Sequence, residues 1–370
     1  MTWTIRRKHH FCVWLLFALS LAGCDWLQRT PQSGLDDSGV DSVFEIRTNL
    51  NKGLVENSVG VTSVRQPGII FGMNDSGHEP LVFAFDSNGT DRGIWRVDRA
   101  SDRDWESAAL GPCARPATDS SCLYIGDTGD NDARRPFVTI YRIREPNLPP
   151  TGSSPPNART WTAERLNVRY PDHPHDVEAM YVTPDGSVML ITKRRLLDVS
   201  RRPRPALVFQ VPGLSWDSSG IVTARLADSL PIVPGSATGR QVTDAALSPD
   251  GKRLAVRTYS EVFVFAVDST TGLPVQGTPP TSCTILGLEE HQGEGIGWWW
   301  DGRRLLLTSE GKNEPLYVVS CTLPASPRRF LGFPAIMANP TDPLDADPLE
   351  AAGRQTEDAP LLRHRCATHR

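Results

Sequence analysis

Residues 177–194 read VEAMYVTPDGSVMLITKR, in which a Pro-Asp-Gly turn joins two apolar runs. Asp-Gly between such runs is a strong β-hairpin signal, because glycine supplies the positive φ angle that the turn requires. The same plan recurs in residues 243–260 (TDAALSPDGKRLAVRTYS) and in residues 293–311 (GEGIGWWWDGRRLLLTSEG). The sequence therefore predicts a repeat architecture built from β-hairpins.

Two looser copies extend the repeat toward the N-terminus. In residues 104–131 a loop between two cysteines replaces the turn, and in residues 57–77 the turn is Gln-Pro-Gly. One or two further apolar runs follow each copy, and no helical period is sustained. Four-stranded units spaced by about 45 to 70 residues fit a β-propeller, which protects strand edges by radial repetition.

The fifth copy has only one run, PLYVVSC, after its hairpin. We expect FEIRTNL (residues 44–50) to supply the missing outer strand and so to close the ring. The predicted fold class is all-β, a β-propeller of four-stranded blades. Five blades are favoured, six would fit if one long spacing hides a weak blade, and a β-sandwich is the third choice.

The N-terminus has the features of an export signal. Arg6, Arg7 and Lys8 precede an apolar run at residues 11–21, which is shorter than the ~20 residues that a membrane-spanning helix needs. The sequence LAGC at residues 21–24 resembles the lipobox of bacterial lipoproteins. That resemblance implies cleavage before Cys24 and lipidation of its thiol, whereas a plain cleaved signal is the alternative.

Composition divides the chain into four predicted segments. They are a lipoprotein signal peptide at 1–23, a lipidated flexible tether at 24–42, a β-propeller at 43–322 and a Pro-rich, mostly disordered tail at 323–370. Acyl chains on Cys24 would hold the protein on a membrane. We therefore expect it in the bacterial cell envelope, on the inner or the outer membrane, with the propeller outside the cytoplasm in a compartment such as the periplasm.

An oxidising compartment favours disulfides. Cys113 and Cys122 bracket a polar loop and are expected to be bonded. Cys283, Cys321 and Cys366 allow three pairings, of which we favour Cys283 with Cys321 because both lie at the ends of strand-like runs. A net charge of −4 and a pI near 6.1 argue against nucleic acid as a partner.

Polar residues at strand ends predict a functional face. In a propeller the innermost strand of each blade starts where the second strand ends, so two rings of side chains surround one mouth of the channel. The first ring contains Glu106, Glu178, Asp244 and Glu294, with Asn57 or Glu56 from the first blade. The second ring contains Asn74, Asp75, Asp127, Lys193, Arg194, Arg257 and Glu310. Superposing the Pro-Asp-Gly turns puts Thr243, not Asp244, at the glutamate position.

Histidines accompany two of these glutamates, as His175-x-x-Glu178 and His291-x-x-Glu294. Carboxylates suit calcium and imidazoles suit zinc or manganese, so the mouth could bind calcium or another divalent cation. The predicted metal ligands are Glu106, Asp127, Glu178 and Glu294, with His175 or His291 as a catalytic base. Alternatively, these carboxylates close blades by accepting hydrogen bonds. His173 and His175 also have metal-like spacing, although such a pair in a loop is more often solvated.

Several runs, in order, resemble a group of exported bacterial β-propeller lipoproteins whose function is uncharacterised. The runs are PGIIFGMNDSG, RDWESAAL, LYIGDTGDN, HDVEAMYV, SPDGKRLAVRTY and GEGIGW, within residues 45–322. More distantly, DVEAM resembles the Asp-x-Glu-Gly element of calcium-dependent propeller phytases, whose channel carboxylates bind calcium and substrate phosphate. Ala179 replaces the glycine, so the resemblance carries over only Glu178 and Glu294 as calcium ligands.

Two functions follow as hypotheses. The first is a membrane-anchored binding module that takes an envelope protein or a small-molecule ligand at an acidic channel mouth. The alternative is a divalent-metal-dependent hydrolase of phosphoesters or lactones, in which the cation lowers the pKa of its bound water.

Overall fold

A computed structural model describes residues 40–46, 50, 52–113, 121–198, 200–235 and 241–321. The predicted signal peptide, nearly all of the tether, Cys24, Cys366 and the predicted tail lie outside the described residues. The described chain forms 22 β-strands and one short 3-10 helix, Gly213–Asp217. Within the described ranges, no helix has the length and apolar character needed to cross a membrane.

The strands form five sheets, which are the blades of a propeller. From the channel outward, blade 1 contains β2 (Val61–Thr62), β3 (Ile69–Gly72), β4 (Leu81–Asp86) and β5 (Asp91–Asp98). Blade 2 contains β6 (Trp105–Pro112), β7 (Ser121–Asp127), β8 (Val138–Arg144) and β10 (Glu164–Arg169). Blade 3 contains β11 (Val177–Val182), β12 (Val188–Thr192), β13 (Ala206–Val211) and β15 (Arg225–Leu230).

The last two blades include the strand that closes the ring. Blade 4 contains β16 (Val242–Leu247), β17 (Arg253–Thr258), β18 (Glu261–Ala266) and β19 (Thr281–Thr284). Blade 5 contains β20 (Gln292–Trp298), β21 (Leu305–Glu310), β22 (Leu316–Cys321) and β1 (Val40–Ile46). Strand β1 pairs antiparallel with β22, with Phe44 opposite Val318. The prediction of five blades is confirmed, and so is the closing strand over residues 44–46.

Two further strands cross from one blade to its neighbour. Strand β9 (Asn157–Thr162) lies between β8 and β10 in sequence but pairs parallel with β5 of blade 1. Strand β14 (Ile221–Thr223) pairs parallel with β10 of blade 2. The chain separates β14 from β15 at Ala224, whose backbone N–H donates to the Arg169 carbonyl at 2.9 Å.

The core lies between neighbouring blades, so inner strands are buried on both faces. In β11, Met180 packs against blade 2 and Tyr181 packs against blade 4. Every residue of this strand is buried. This explains why the inner strands read as continuous apolar runs instead of alternating ones.

Turns and disulfides agree with the predictions from the sequence. Gly186 has a φ of 79° in the Pro-Asp-Gly turn of blade 3, which is the left-handed conformation that the turn requires. Cys113 is bonded to Cys122 at the end of β6. Cys283 is bonded to Cys321, which links β19 of blade 4 to β22 of blade 5. Both predicted disulfides are confirmed.

Candidate functional site: an acidic channel mouth

The inner strands of blades 2, 3 and 4 each begin with a β-bulge at the same end of the channel. In blade 3, Val177 pairs with Thr192 and Ala179 pairs with Ile191, so Glu178 has no cross-strand partner. The same irregularity leaves Glu106 in blade 2 and Thr243 in blade 4 without a cross-strand partner. A bulge re-aims the side chain of the extra residue. Thr243 therefore occupies the glutamate position of blade 4, as superposition of the turns predicts.

These strand ends gather six carboxyl groups around one lysine, and we call this group the acidic mouth. Its members are Asp75, Asp104, Glu106, Glu178, Glu294 and Glu310, with Lys193. The charge of Glu294 raises the pKa of Glu178, and the charges of Glu178 and Asp75 raise the pKa of Glu106. The prediction that the glutamates of blades 2, 3 and 5 share one electrostatic environment agrees with this arrangement.

Lys193 is the cation of the acidic mouth. Its Nζ lies 3.0 Å from Glu178 Oε1, and both side chains are less than one-tenth exposed. Burial alone would lower the pKa of Lys193, but the charges of Glu178 and Glu294 outweigh burial and raise it above its usual value. Lys193 therefore stays charged and neutralises Glu178.

Glu294 and Glu310 share a hydrogen-bond donor. Gln292 Nε2 donates to Glu294 Oε1 at 2.7 Å and to Glu310 Oε1 at 3.3 Å, and the Tyr259 hydroxyl donates to Glu294 at 3.1 Å. Burial raises the pKa of Glu310 to about 8, and the charges of Glu294 and Asp75 add to this effect. Glu310 can therefore exchange a proton close to neutral pH.

Asp75, Asp104 and Glu106 form the tightest carboxylate group of the mouth. One carboxylate oxygen from each lies within 4.8 Å of the other two. Burial raises the pKa of Asp104 to about 6, and it raises the pKa of Glu106 well above its usual range, with Glu178 and Asp75 adding to the shift. A Cβ atom on Gly129 would lie 2.5 Å from Asp104 Oδ2 and 2.6 Å from Glu106 Oε1, so a larger residue there would displace both carboxylates.

Glu106 differs from the other buried acids of the mouth in having no donor. It is 7% exposed, and among the described residues no hydrogen bond or ion pair reaches its carboxylate. The charge of Lys193 offsets only part of the cost of burying Glu106, because the pKa of Glu106 stays raised. A buried carboxylate without a donor is costly unless it is protonated or binds a cation. This part of the mouth is therefore the best candidate for a cation site.

Asp127 and Asp244 instead have partners within the fold. Asp127 Oδ1 lies 2.8 Å from Arg135 Nη2, and both side chains are 4% exposed. Asp244 accepts hydrogen bonds from the backbone N–H groups of Ala245, at 2.7 Å, and Ile296, at 2.8 Å. Asp244 therefore ties blade 4 to blade 5, as the blade-closing alternative predicts.

The remaining ring members also support the backbone. Asn57 accepts a hydrogen bond from the Met73 N–H at 3.2 Å, and Asn74 accepts bonds from the N–H groups of Val55 and Glu56. Arg257, which is fully buried, donates to the carbonyl groups of Gly295 and Thr308 and pairs with Glu290 at 2.5 Å. Arg194 lines a cavity of about 30 Å³ together with His175.

The two histidines of the repeated motif occupy different environments. His175 is buried, and its Nε2 lies 3.0 Å from Asp172 Oδ1. His291 is exposed at the start of blade 5. The equal spacing in sequence therefore does not place the two imidazoles in equivalent positions. Each histidine lies in the loop before an inner strand, and the two loops follow different paths.

Asp104 was missing from both predicted rings, although the sequence contains a signal for it. Asp104-x-Glu106 has the spacing of Asp176-x-Glu178 at the equivalent point of the next blade. Asp75 was placed in the second ring but not among the predicted metal ligands. The structure brings both residues to Glu106, whereas Asp127 faces Arg135.

Comparison with known proteins identifies similar folds. No protein-family model matches the chain, and no curated protein matches it. A gluconolactonase from Xanthomonas campestris is 15% identical over 75% of this chain and 89% of its own, with a TM-score of 0.37. A glutaminyl cyclase from Myxococcus xanthus is 11% identical over 76% and 97%, with a TM-score of 0.39. The β-propeller domain of Cps50 from Myceliophteria thermophila is 13% identical over 75% and 99%, with a TM-score of 0.35.

These similarities concern the fold alone. The chain is a five-bladed β-propeller whose channel has an acidic mouth. The resemblance to exported propeller lipoproteins depends on the sequence runs quoted under Sequence analysis.

Proposed function

We propose that this protein is a lipid-anchored β-propeller of the bacterial cell envelope that binds a divalent cation, with calcium as the first candidate, at its acidic mouth. The bound cation would provide the positive charge that binds an anionic small molecule or an acidic group of an envelope protein. The observation that carries the proposal is Glu106, a buried carboxylate beside Asp75 and Asp104 to which no side chain or backbone N–H of the described part of the chain donates.

The chemistry of the donor set supports a hard cation. All the candidate ligand atoms are carboxylate oxygens, which calcium prefers, and calcium accepts six to eight such oxygens in flexible geometry. The like charges of Asp75, Asp104 and Glu106 repel one another without a cation. A divalent ion would remove that repulsion, so binding is expected to stabilise the folded state.

Support for the anchor comes from the sequence, since Cys24 lies outside the described residues. The lipobox-like LAGC and the short apolar run before it imply lipidation and export. Replacing Cys24 by alanine should move the protein from the membrane fraction to the soluble fraction. Retention of the Cys24→Ala protein on membranes would contradict the anchor without bearing on cation binding.

Calcium titration of the full chain tests the binding site. We expect one calcium ion to bind, and we expect Glu106→Gln to weaken it at least about tenfold, because it removes a charged ligand. Glu79→Gln is the matched control, since the Glu79 side chain is 66% exposed and pairs with Arg96. Equal calcium affinity in Glu106→Gln and the control would refute the proposal.

The second candidate function is a metal-dependent hydrolase of phosphoesters or lactones. The observation that favours it is Glu310, whose pKa of about 8 is raised by burial and then by Glu294 and Asp75. A cation at the mouth would lower that pKa toward neutral pH, where a general base is most effective. A screen of phosphoesters and lactones with calcium present tests it. Turnover that Glu310→Gln does not reduce would exclude Glu310 as the base.

A further inference from the structure

A second group of metal-ligating side chains lies in the loop before β11 and shares no residue with the acidic mouth. Asp172, His173 and His175 each offer one ligand atom within 4.8 Å of the other two. His175 Nε2 lies 3.0 Å from Asp172 Oδ1, and His173 Nδ1 lies 3.2 Å from Asp172 Oδ2. We propose that these three side chains form a binding site for a transition-metal ion, with zinc as the first candidate.

The separations between these atoms suit metal ligation. Zinc binds imidazole nitrogen and carboxylate oxygen at about 2.0 to 2.2 Å. At tetrahedral angles, two such ligand atoms are separated by about 3.3 Å. Asp172 Oδ2 lies 3.2 Å from His175 Nε2 and 3.2 Å from His173 Nδ1, so these separations need little adjustment for an ion to be accommodated.

The surroundings hold the His175 imidazole in place and leave the His173 imidazole and the Asp172 carboxylate partly accessible. The His175 side chain is 3% exposed and packs between Tyr170, with ring centroids 5.1 Å apart, and Phe209, at 4.9 Å. Pro174 fixes its own φ angle and so restricts the geometry between the two histidines. His173 and Asp172 are 36% and 23% exposed, which gives an ion a route to the site.

The donor set distinguishes this site from the acidic mouth. Two imidazoles and one carboxylate are typical of catalytic zinc sites, in which a fourth position is open to water or substrate. Calcium prefers oxygen ligands and would gain little from the two nitrogens. We therefore expect zinc at Asp172, His173 and His175, independently of calcium binding at the mouth.

The competing interpretation is a purely structural loop, in which Asp172 accepts a hydrogen bond from each imidazole. Zinc titration of the full chain, with the absorption spectrum of bound cobalt as a second readout, separates the two. We expect one zinc ion to bind, and we expect His173→Gln to weaken it at least about tenfold, since even the loss of groups that only orient metal ligands costs about 10- to 100-fold. His291→Gln removes an exposed imidazole elsewhere and is the matched control.

Asp172→Asn provides the check on folding, because it can still accept a hydrogen bond but loses the charged ligand. Support requires that Asp172→Asn retains its melting temperature without metal but loses the zinc-dependent increase. Cobalt bound with a tetrahedral spectrum, absent in His173→Gln, would give the same conclusion. Unchanged zinc affinity in both variants, or no zinc binding by the wild-type chain, would overturn the proposal.

Discussion

Replacing Glu106 by glutamine should stabilise the metal-free protein, which is unusual for a change at a buried polar residue. The Glu106 carboxylate lies within 4.8 Å of two other carboxylates and has no donor among the described residues. Two unit charges at that distance repel by about 3.5 kcal/mol in an effective dielectric of about 20. Glutamine keeps the shape of the side chain and removes its charge.

The gain should depend on pH in a defined direction. The pKa of Glu106 is raised by burial, then by Glu178 and Asp75, so between the unfolded value near 4.3 and the higher folded value the folded state binds the extra proton. Wild-type stability therefore falls with rising pH by about 1.4 kcal/mol per pH unit relative to Glu106→Gln. Below pH ~4 the difference in stability between the two proteins should stop changing with pH, because the glutamate is protonated in both the folded and the unfolded state.

Thermal unfolding in EDTA at several pH values measures this difference. The variant should gain in Tm relative to the wild type from pH 5 upward, as far as the raised pKa of Glu106, with each kcal/mol corresponding to roughly 2 to 4 °C for a domain of this size. Adding calcium should raise the Tm of the wild type more than that of the variant. A lower Tm for Glu106→Gln at pH 7 in EDTA would refute the reasoning and identify Glu106 as a structural hydrogen-bond acceptor.

Three further changes test neighbouring parts of the structure. Lys193→Met should lower the free energy of unfolding, measured in urea at pH 7, by about 3 to 5 kcal/mol, because it leaves Glu178 buried without its cation. Adding Glu178→Gln to this variant should restore most of the lost stability. Ile46→Ala should lower the same free energy of unfolding by about 2 to 5 kcal/mol, since Ile46 is 5% exposed in the closing strand. An unchanged stability would mean that β1 contributes little to ring closure. Asp244→Asn should cost about 1 to 3 kcal/mol with calcium affinity unchanged, because Asp244 accepts two backbone hydrogen bonds, and weaker calcium binding would place it among the ligands instead.

The fold was predictable because its determinants are local. The Asp-Gly turns mark the hairpin of each clear repeat, and the unpaired edge of PLYVVSC requires a partner that only residues 44–50 offered. Strands β9 and β14 were not predicted as separate strands, because their partners belong to the preceding blade. Local periodicity contains no information about which sheet edge a short strand joins.

The site residues whose positions are fixed by the repeat could be predicted from the sequence. The residues whose positions are fixed by loops could not. Glu106 and Glu178 occupy equivalent bulges, so the repeat places them together. Asp127 also ends a strand, but its partner Arg135 comes from the following loop, which differs in length and sequence from the corresponding loops of the other blades. Likewise, the direction of His175 is set by contacts with Tyr170 and Phe209, which its spacing from Glu178 cannot reveal.

Because of the crossing strands, the interfaces (seams) between neighbouring blades differ in how strongly they couple the unfolding of one blade to that of the next. Blade 1 cannot keep its outer edge covered if the segment between β8 and β10 unfolds, and blade 2 depends in the same way on β14 from the blade 3 segment. Blades 4 and 5 are joined covalently by Cys283 and Cys321. Between blades 3 and 4 the described residues include neither a crossing strand nor a disulfide. The ring should therefore begin to open at that seam, with blades 1 to 3 unfolding as one unit.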